Sequence, residues 1–192
     1  MDADFSIELG LDDPVLDFPW TDPSGTLAYF DLKRHPELIV KVEEAQQFAE
    51  LSEFLRSTNS YRSAFETAKC DVWATSDLTV EEEIFNATQK LASYVDLVFS
   101  KIEARRSYEL HKEFAAKLTD LLRRAPDLAA SVELSVRRCY FTQTGAEAHE
   151  EGFCFTLYVS GYAKDEAGAR KNWSIALNLA ANAIVQLSDN PY

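Results

Sequence analysis

Glycine is scarce in this chain, six residues in 192, and none sits in a phosphate-cradling pattern such as Gly-x-Gly-x-x-Gly or the P-loop. That shortage argues against the nucleotide folds that bring backbone N–H groups close to a pyrophosphate. A Gly-x-Ser-x-Gly nucleophile elbow is absent too. The cysteines are three, Cys70, Cys139 and Cys154. That number is odd and too small for a disulfide framework. No apolar run approaches the roughly 18 residues of a membrane span. The opening Met1-Asp2-Ala3-Asp4 is acidic where a signal peptide is basic. These absences together predict a cytoplasmic protein without a membrane segment.

Positive charge is also short. Nineteen Lys and Arg stand against 32 Asp and Glu, a formal net charge of -13. Repulsion at that charge opposes a general nucleic-acid or anionic-lipid surface, so neither partner is expected. A basic protein partner is permitted. The hydrophobic fraction of 46% belongs to an ordinary globular chain, and 192 residues suit a single domain.

Residues 1–25 read as an arm packed on the body. Phe5, Ile7, Leu9 and Leu11 alternate with polar residues or glycine in strand fashion. Pro14, Pro19 and Pro23 then interrupt regular structure, while Leu16, Phe18 and Trp20 supply apolar anchors. The remainder, 26–192, reads as a single α+β domain, with two associated halves meeting near residue 105. A strand is expected over 27–33. A helix opening at Pro36 carries an apolar side through Leu55. A second strand is expected over 68–75.

Thr79 and Glu82 have the spacing of a capping box, which accounts for the glutamate run without a metal. From 79 to 125 there is neither glycine nor proline. Ile84, Leu91, Val95, Val98 and Ile102 share one helical face, and Leu110, Phe114, Leu118 and Leu121 share another, predicting helices that break near 104–108. Two alternating stretches follow, Val132 to Tyr140 and Phe153 to Val159. They predict a β-hairpin with a polar loop over about 143–151. A final helix runs from about Asp165 to Ser188. The expected fold is an antiparallel sheet, including this C-terminal hairpin, packed on several helices, with a largely buried last helix.

Three features carry candidate chemistry. If the hairpin pairs Thr142 with Glu151, Cys139 faces Cys154 directly, at a cross-strand spacing a thiol pair can use. Registers slipped by one residue on each strand fit the same faces, and a buried intracellular thiol is ordinarily an inert small hydrophobe. Glu147, His149, Glu150 and Glu151 mix imidazole with carboxylate, yet neighbours in one loop rarely converge on an ion, and His111 lacks a partner at helical zinc spacing. No metal or cofactor is expected. The pairs Arg105-Arg106, Arg123-Arg124 and Arg137-Arg138 could gather an anion; their simpler role is local neutralisation of an acidic protein.

The last helix is unusual for this chain. Between Lys171 and Asp189 it carries no charge, and its least apolar side holds Asn178, Asn182 and Gln186. Either those amides are satisfied inside the core, or they form a homodimer or partner interface. The sequence therefore points to a noncatalytic protein-binding or regulatory domain, of an adaptor, immunity or chaperone-like kind. Its alternative is a small-molecule-binding protein or enzyme with a pocket between sheet and helices, drawing on Tyr158, Tyr162, Trp173 and the arginines.

Overall fold

The two stretches that alternate most regularly form the longest strands. In the computed structural model, which describes residues 1–26, 28–142 and 149–188, β5 (Ala130–Thr142) and β6 (His149–Ala163) pair antiparallel. The connection between them, 143–148, lies outside the described residues. Before them come β1 (Asp2–Glu8) and β2 (Leu16–Phe18), a 3-10 turn at Pro36–Lys41, α1 (Glu43–Gln47), α2 (Ala49–Thr58) and β3 (Phe65–Thr75). A second 3-10 turn at Glu81–Phe85 leads to β4 (Gln89–Phe99), α3 (Ile102–Arg105) and α4 (Tyr108–Leu122). The last described element is α5 (Glu166–Ser188).

The six strands of the described residues belong to one sheet, in the order β1-β5-β6-β4-β3 with β2 also beside β5. The sheet is mixed rather than antiparallel, because β1 and β2 run parallel to β5. A long excursion of chain separates them from β5, and only a short turn would force antiparallel pairing. The strand expected over 27–33 is replaced by a single bridge, Thr21 with Ala28.

The largest departure from the periodicity argument is β4, which occupies residues expected to be helical. Leu91, Val95, Leu97 and Phe99 face the helices, while Ala92 and Val98 are buried on the other side. A strand buried on both faces loses its polar alternation and reads as a continuous apolar run. That run imitates a helical stripe wherever spacings of three and four happen to fall. With 89–99 a strand, no continuous helix aligns Arg105 with Arg123.

Helices cover one face of the sheet. Val132, Leu134 and Val136 of β5 and Phe155, Leu157 and Val159 of β6 meet Phe114, Leu118, Trp173, Leu177 and Ile184 in one core. The apolar side of α5 is buried, but Asn178, Asn182 and Gln186 face solvent. Asn182 Nδ2 donates to Asn178 Oδ1 at 2.8 Å. The side is uncharged next to α2, whose Glu50 and Glu53 line the same shallow depression; a further carboxylate there would meet like charge.

Trp173 reaches through the helix layer so that its indole N–H donates to Ser93 Oγ at 2.9 Å. Its backbone lies directly on β6. A Cβ at Gly161 would stand 2.1 Å from Trp173 N and 2.4 Å from Ala169 O. Those are backbone atoms of α5 and cannot swing aside. Gly161→Ala should therefore cost about 3 kcal/mol or more, at the upper end of overpacking effects, read as a fall in the urea midpoint with unchanged slope.

His111 on α4 is fully buried among Phe99, Phe153 and Phe155. Its Nδ1 lies 2.8 Å from the Ser107 carbonyl, so Nδ1 carries the proton. Burial pushes its pKa down to about 4, against some help from backbone hydrogen bonding. The folded protein then holds a neutral imidazole while the unfolded chain takes up a proton below about pH 6.5. Stability from this residue is complete above pH 6.5 and falls as pH drops toward 4, by about 3 kcal/mol in all. His111→Phe should remove that part of the acid sensitivity, measured as the difference in urea midpoint between pH 7 and pH 4.5.

Candidate functional site on the second face of the sheet

Side chains that alternate away from the helices build the other face, and the described residues cover it only at its two ends. At one end the arm crosses it: Leu16 and Phe18 of β2 pack on Val98, Cys139, Phe141 and Cys154. Arg105 holds that end together. Its guanidinium lies over the rings of Phe18 and Phe141 at 5.4 and 4.9 Å and pairs with Glu66. Tyr29, just past the arm, donates to the second oxygen of Glu66 at 3.0 Å. At the other end the 3-10 turn folds over, Phe85 stacking on Tyr162 at 4.2 Å. Glu82 accepts from the Tyr162 hydroxyl at 2.7 Å and pairs with Lys90. Glu82 also accepts the Thr79 N–H at 2.9 Å, so one arm of the expected capping box forms, but on a 3-10 turn rather than a long helix.

Between these covers lies an aromatic ladder. Trp73, Tyr94 and Tyr158 follow one another across β3, β4 and β6 with centroids 6.4 and 6.3 Å apart. The register aligns Asp71, Tyr94, Tyr158 and Glu133 in one row, so a carboxylate stands at each end of the tyrosine pair. The neighbouring row is Trp73, Ala92, Ser160 and Ser131. Small residues in that row let the rings lie down on the sheet, which accounts for Ala92 being 1% exposed on a face without helices. Trp73 itself is 38% exposed.

Below the ladder a polar network is locked in place. Arg137 donates from Nε to Glu8 at 2.8 Å, and its two terminal nitrogens donate to Thr156 Oγ1 at 3.2 Å and Tyr158 Oη at 3.0 Å. The Thr156 hydroxyl in turn donates a hydrogen bond to Asp96 Oδ1 at 2.6 Å. Burial raises the Asp96 pKa, opposed by the Thr156 bond and the fields of Arg137 and Lys69. Glu8 moves the opposite way: burial would raise it, but bonds from Ser135 and Arg137 outweigh that. These bonds fix the orientation of Thr156 and Tyr158, and His111 lies on the opposite side of the sheet.

A pocket of about 620 Å³ adjoins the ladder and shares Asp71 and Tyr94 with it. It opens where β3 bulges, Ala68 and Lys69 both standing opposite Asp96. Trp20 docks on the bulge, its indole N–H donating to the Ala68 carbonyl at 2.9 Å. Lys69 lies over the Trp20 ring at 4.9 Å and Lys41 over Phe30 at 5.9 Å. Cys70 lines the same pocket, with its thiol pushed up to about 12 by burial first and then by the fields of Glu44, Asp71 and Asp96. Such a thiol is a poor nucleophile.

The residues singled out from sequence fall in separate places. The register pairs Cys139 with Gly152 and Cys154 with Arg137, so the two cysteines are diagonal neighbours rather than directly opposed. The two free thiols still touch across this diagonal. The slip is one residue on each strand, the step that leaves both buried faces unchanged. Both thiols are buried, and the Cys154 pKa is raised by its contact with Cys139 and then by burial. The arginine pairs do not converge: Arg106 meets Glu150, Arg123 meets Asp4, and Arg138 donates to the Gly10 carbonyl. His149 stands beside Thr142, while Glu147 lies outside the described residues. Among the described residues no three metal-ligating side chains come together, and no helix is long and apolar enough to cross a membrane.

Tyr158 and Tyr162 do lie on the site face, whereas Trp173 points into the helix-side core. Sequence reasoning missed Asp96, Tyr94 and Trp73 as site residues. The first two were hidden inside an apparent helix, and Trp73 was legible only as a residue of a strand. No family model, curated protein or solved structure matches the chain.

Leu16 and Phe18 seal the two buried cysteines. Phe18→Ala should raise their rate of modification by a disulfide reagent in native buffer by about tenfold or more, because removing a buried phenylalanine weakens docking of the arm by well over 1.4 kcal/mol. Unfolded chains of both proteins should react equally fast.

Proposed function

We propose that this is a noncatalytic protein-binding domain that receives its partner on the second face of the sheet. The observation that carries the reading is the Trp73–Tyr94–Tyr158 ladder, left open between two covered ends. Tryptophan and tyrosine are the side chains from which binding hot spots are made, since they offer large contact area at small entropic cost. Arg137, Thr156 and Asp96 fix Tyr158 from beneath, so the platform is organised before anything binds. Asp71 and Glu133 at the ends of the tyrosine row, in a chain of net charge -13, favour a partner with basic residues and disfavour nucleic acid.

A second reading has its own support. The adjoining pocket, at about 620 Å³, falls inside the range of roughly 300–1,000 Å³ that small-molecule sites occupy.

A photoreactive phenylalanine analogue placed at Trp73, expressed in the source cells, separates the two. Protein binding predicts a discrete protein adduct at position 73, absent from the same analogue at Lys112 on the helix side and diminished by Tyr158→Ala. No adduct, or equal adducts at both positions, would overturn the protein-binding reading.

A further inference from the structure

We propose that the free edge of β3, residues 70–75, accepts an extended basic peptide segment as an added strand, one of whose side chains enters the pocket beside Trp20. This rests on the protein-binding reading and names the chemistry of the partner.

β3 is the terminal strand of the sheet. As far as the bulge its outer edge is occupied by the chain itself. The Phe65 carbonyl accepts Lys33 Nζ at 2.7 Å, the Thr67 N–H donates to Asn59 Oδ1 at 3.0 Å, and the Ala68 carbonyl accepts Trp20. The Thr67 bond also sets the parity of the ladder. If Thr67 turns its N–H away from β4, the residues opposite Val95, Ser93 and Leu91 turn theirs outward too. Those residues are Cys70, Val72 and Ala74. Past the bulge, no strand among the described residues pairs with this edge. The Val72 N–H is held at 2.7 Å by the exposed carboxylate of Asp71, a contact that an incoming carbonyl can replace. A row of outward backbone groups beside a pocket is the arrangement used for strand addition, where main-chain bonds give affinity and alternate side chains give specificity.

The pocket selects the sign of the partner. Its wall includes Ala68, Lys69, Cys70 and Asp71 of this same edge, so a strand laid along β3 passes over its mouth. Glu43 and Glu44 of α1 and Asp71 of β3 supply carboxylates there, while Lys41 and Lys69 lie over the rings of Phe30 and Trp20. Burial raises the Cys70 thiol first, and the fields of Glu44, Asp71 and Asp96 add to it. A basic side chain finds those carboxylates, and its aliphatic stem finds Ala28, Leu32, Val42 and Leu55 of the pocket wall. A second copy of this chain is the wrong occupant, since two such edges would oppose like carboxylates in molecules of net charge -13.

The test is fluorescence anisotropy on the full chain with two labelled eight-residue probes, one alternating arginine with valine and one alternating glutamate with valine. The arginine probe should bind, more weakly as salt rises, and the glutamate probe should not. Ala74→Pro removes an outward N–H without touching the β4 ladder and should weaken binding about tenfold or more. Glu44→Lys should do the same by charge, and decides the matter if the proline variant fails to fold. Failure of the arginine probe to bind, or binding undiminished by Glu44→Lys and by a folded Ala74→Pro, overturns the proposal. So does a wild-type dimer that Ala74→Pro dissociates. Protein adducts at position 73 with no binding of the arginine probe would refute strand addition alone and leave the broader reading standing; absence of both would refute the two together.

Discussion

Burying β4 and β6 on both faces requires two covering layers, and the helices form only one. The shape of the rest of the molecule follows from how the second layer is made from irregular chain. The arm seals one end through Leu16 and Phe18, and the 3-10 turn at Glu81–Phe85 seals the other through Phe85. Neither reaches the middle, where the sheet protects itself by laying Trp73, Tyr94 and Tyr158 over alanine and serine. Large rings on small residues bury area without another layer of backbone, at about 25 cal/mol per Å² of apolar surface. The same solution leaves an aromatic surface facing outward.

Arginine fastens the irregular layer to the regular one. Arg105 joins the arm to β3 and β4, bonding Glu66 and the Phe99 carbonyl. Arg123 ties β1 to α4 through Asp4 and the Ala3 carbonyl. Arg137 ties the end of β1 to the centre of the sheet through Glu8. The exposed Arg123–Asp4 pair contributes little, about 0–1 kcal/mol. The half-buried Arg105–Glu66 and Arg137–Glu8 pairs differ, because removing either partner strands the other charge out of water. Among the paired arginines, Arg105, Arg106, Arg123 and Arg137 each meet a carboxylate, and those carboxylates, Glu66, Glu150, Asp4 and Glu8, come from separate parts of the chain rather than from one site.

Much of this was legible in the residues. The alternation of Val132, Leu134 and Val136, and of Phe155, Leu157 and Val159, located β5 and β6, and the stripe from Trp173 to Ile184 located α5. The position of β4 was not legible, because a strand sandwiched between layers shows no polar alternation. The parallel direction of β1 was hidden for another reason: alternation says which face a strand buries and nothing about which way it runs. The cysteine register failed by one step on each strand, the smallest slip that keeps both faces correct. The uncharged amides of α5 were conspicuous in sequence, yet they lie on the wet side of the helix beside Glu50 and Glu53. Tyr158 reached the candidate site by inspection of the β6 pattern, whereas Asp96 could be found only once β4 was known to be a strand.

The three tryptophans are divided among the layers. Trp20 belongs to the arm and touches the bulge, Trp73 stands on the open ladder, and Trp173 is wholly buried beneath α5. Each layer therefore carries its own intrinsic fluorophore in a distinct polarity, and variants retaining a single tryptophan make the docking of the arm, the state of the aromatic face and the integrity of the helix layer three separately observable spectroscopic events.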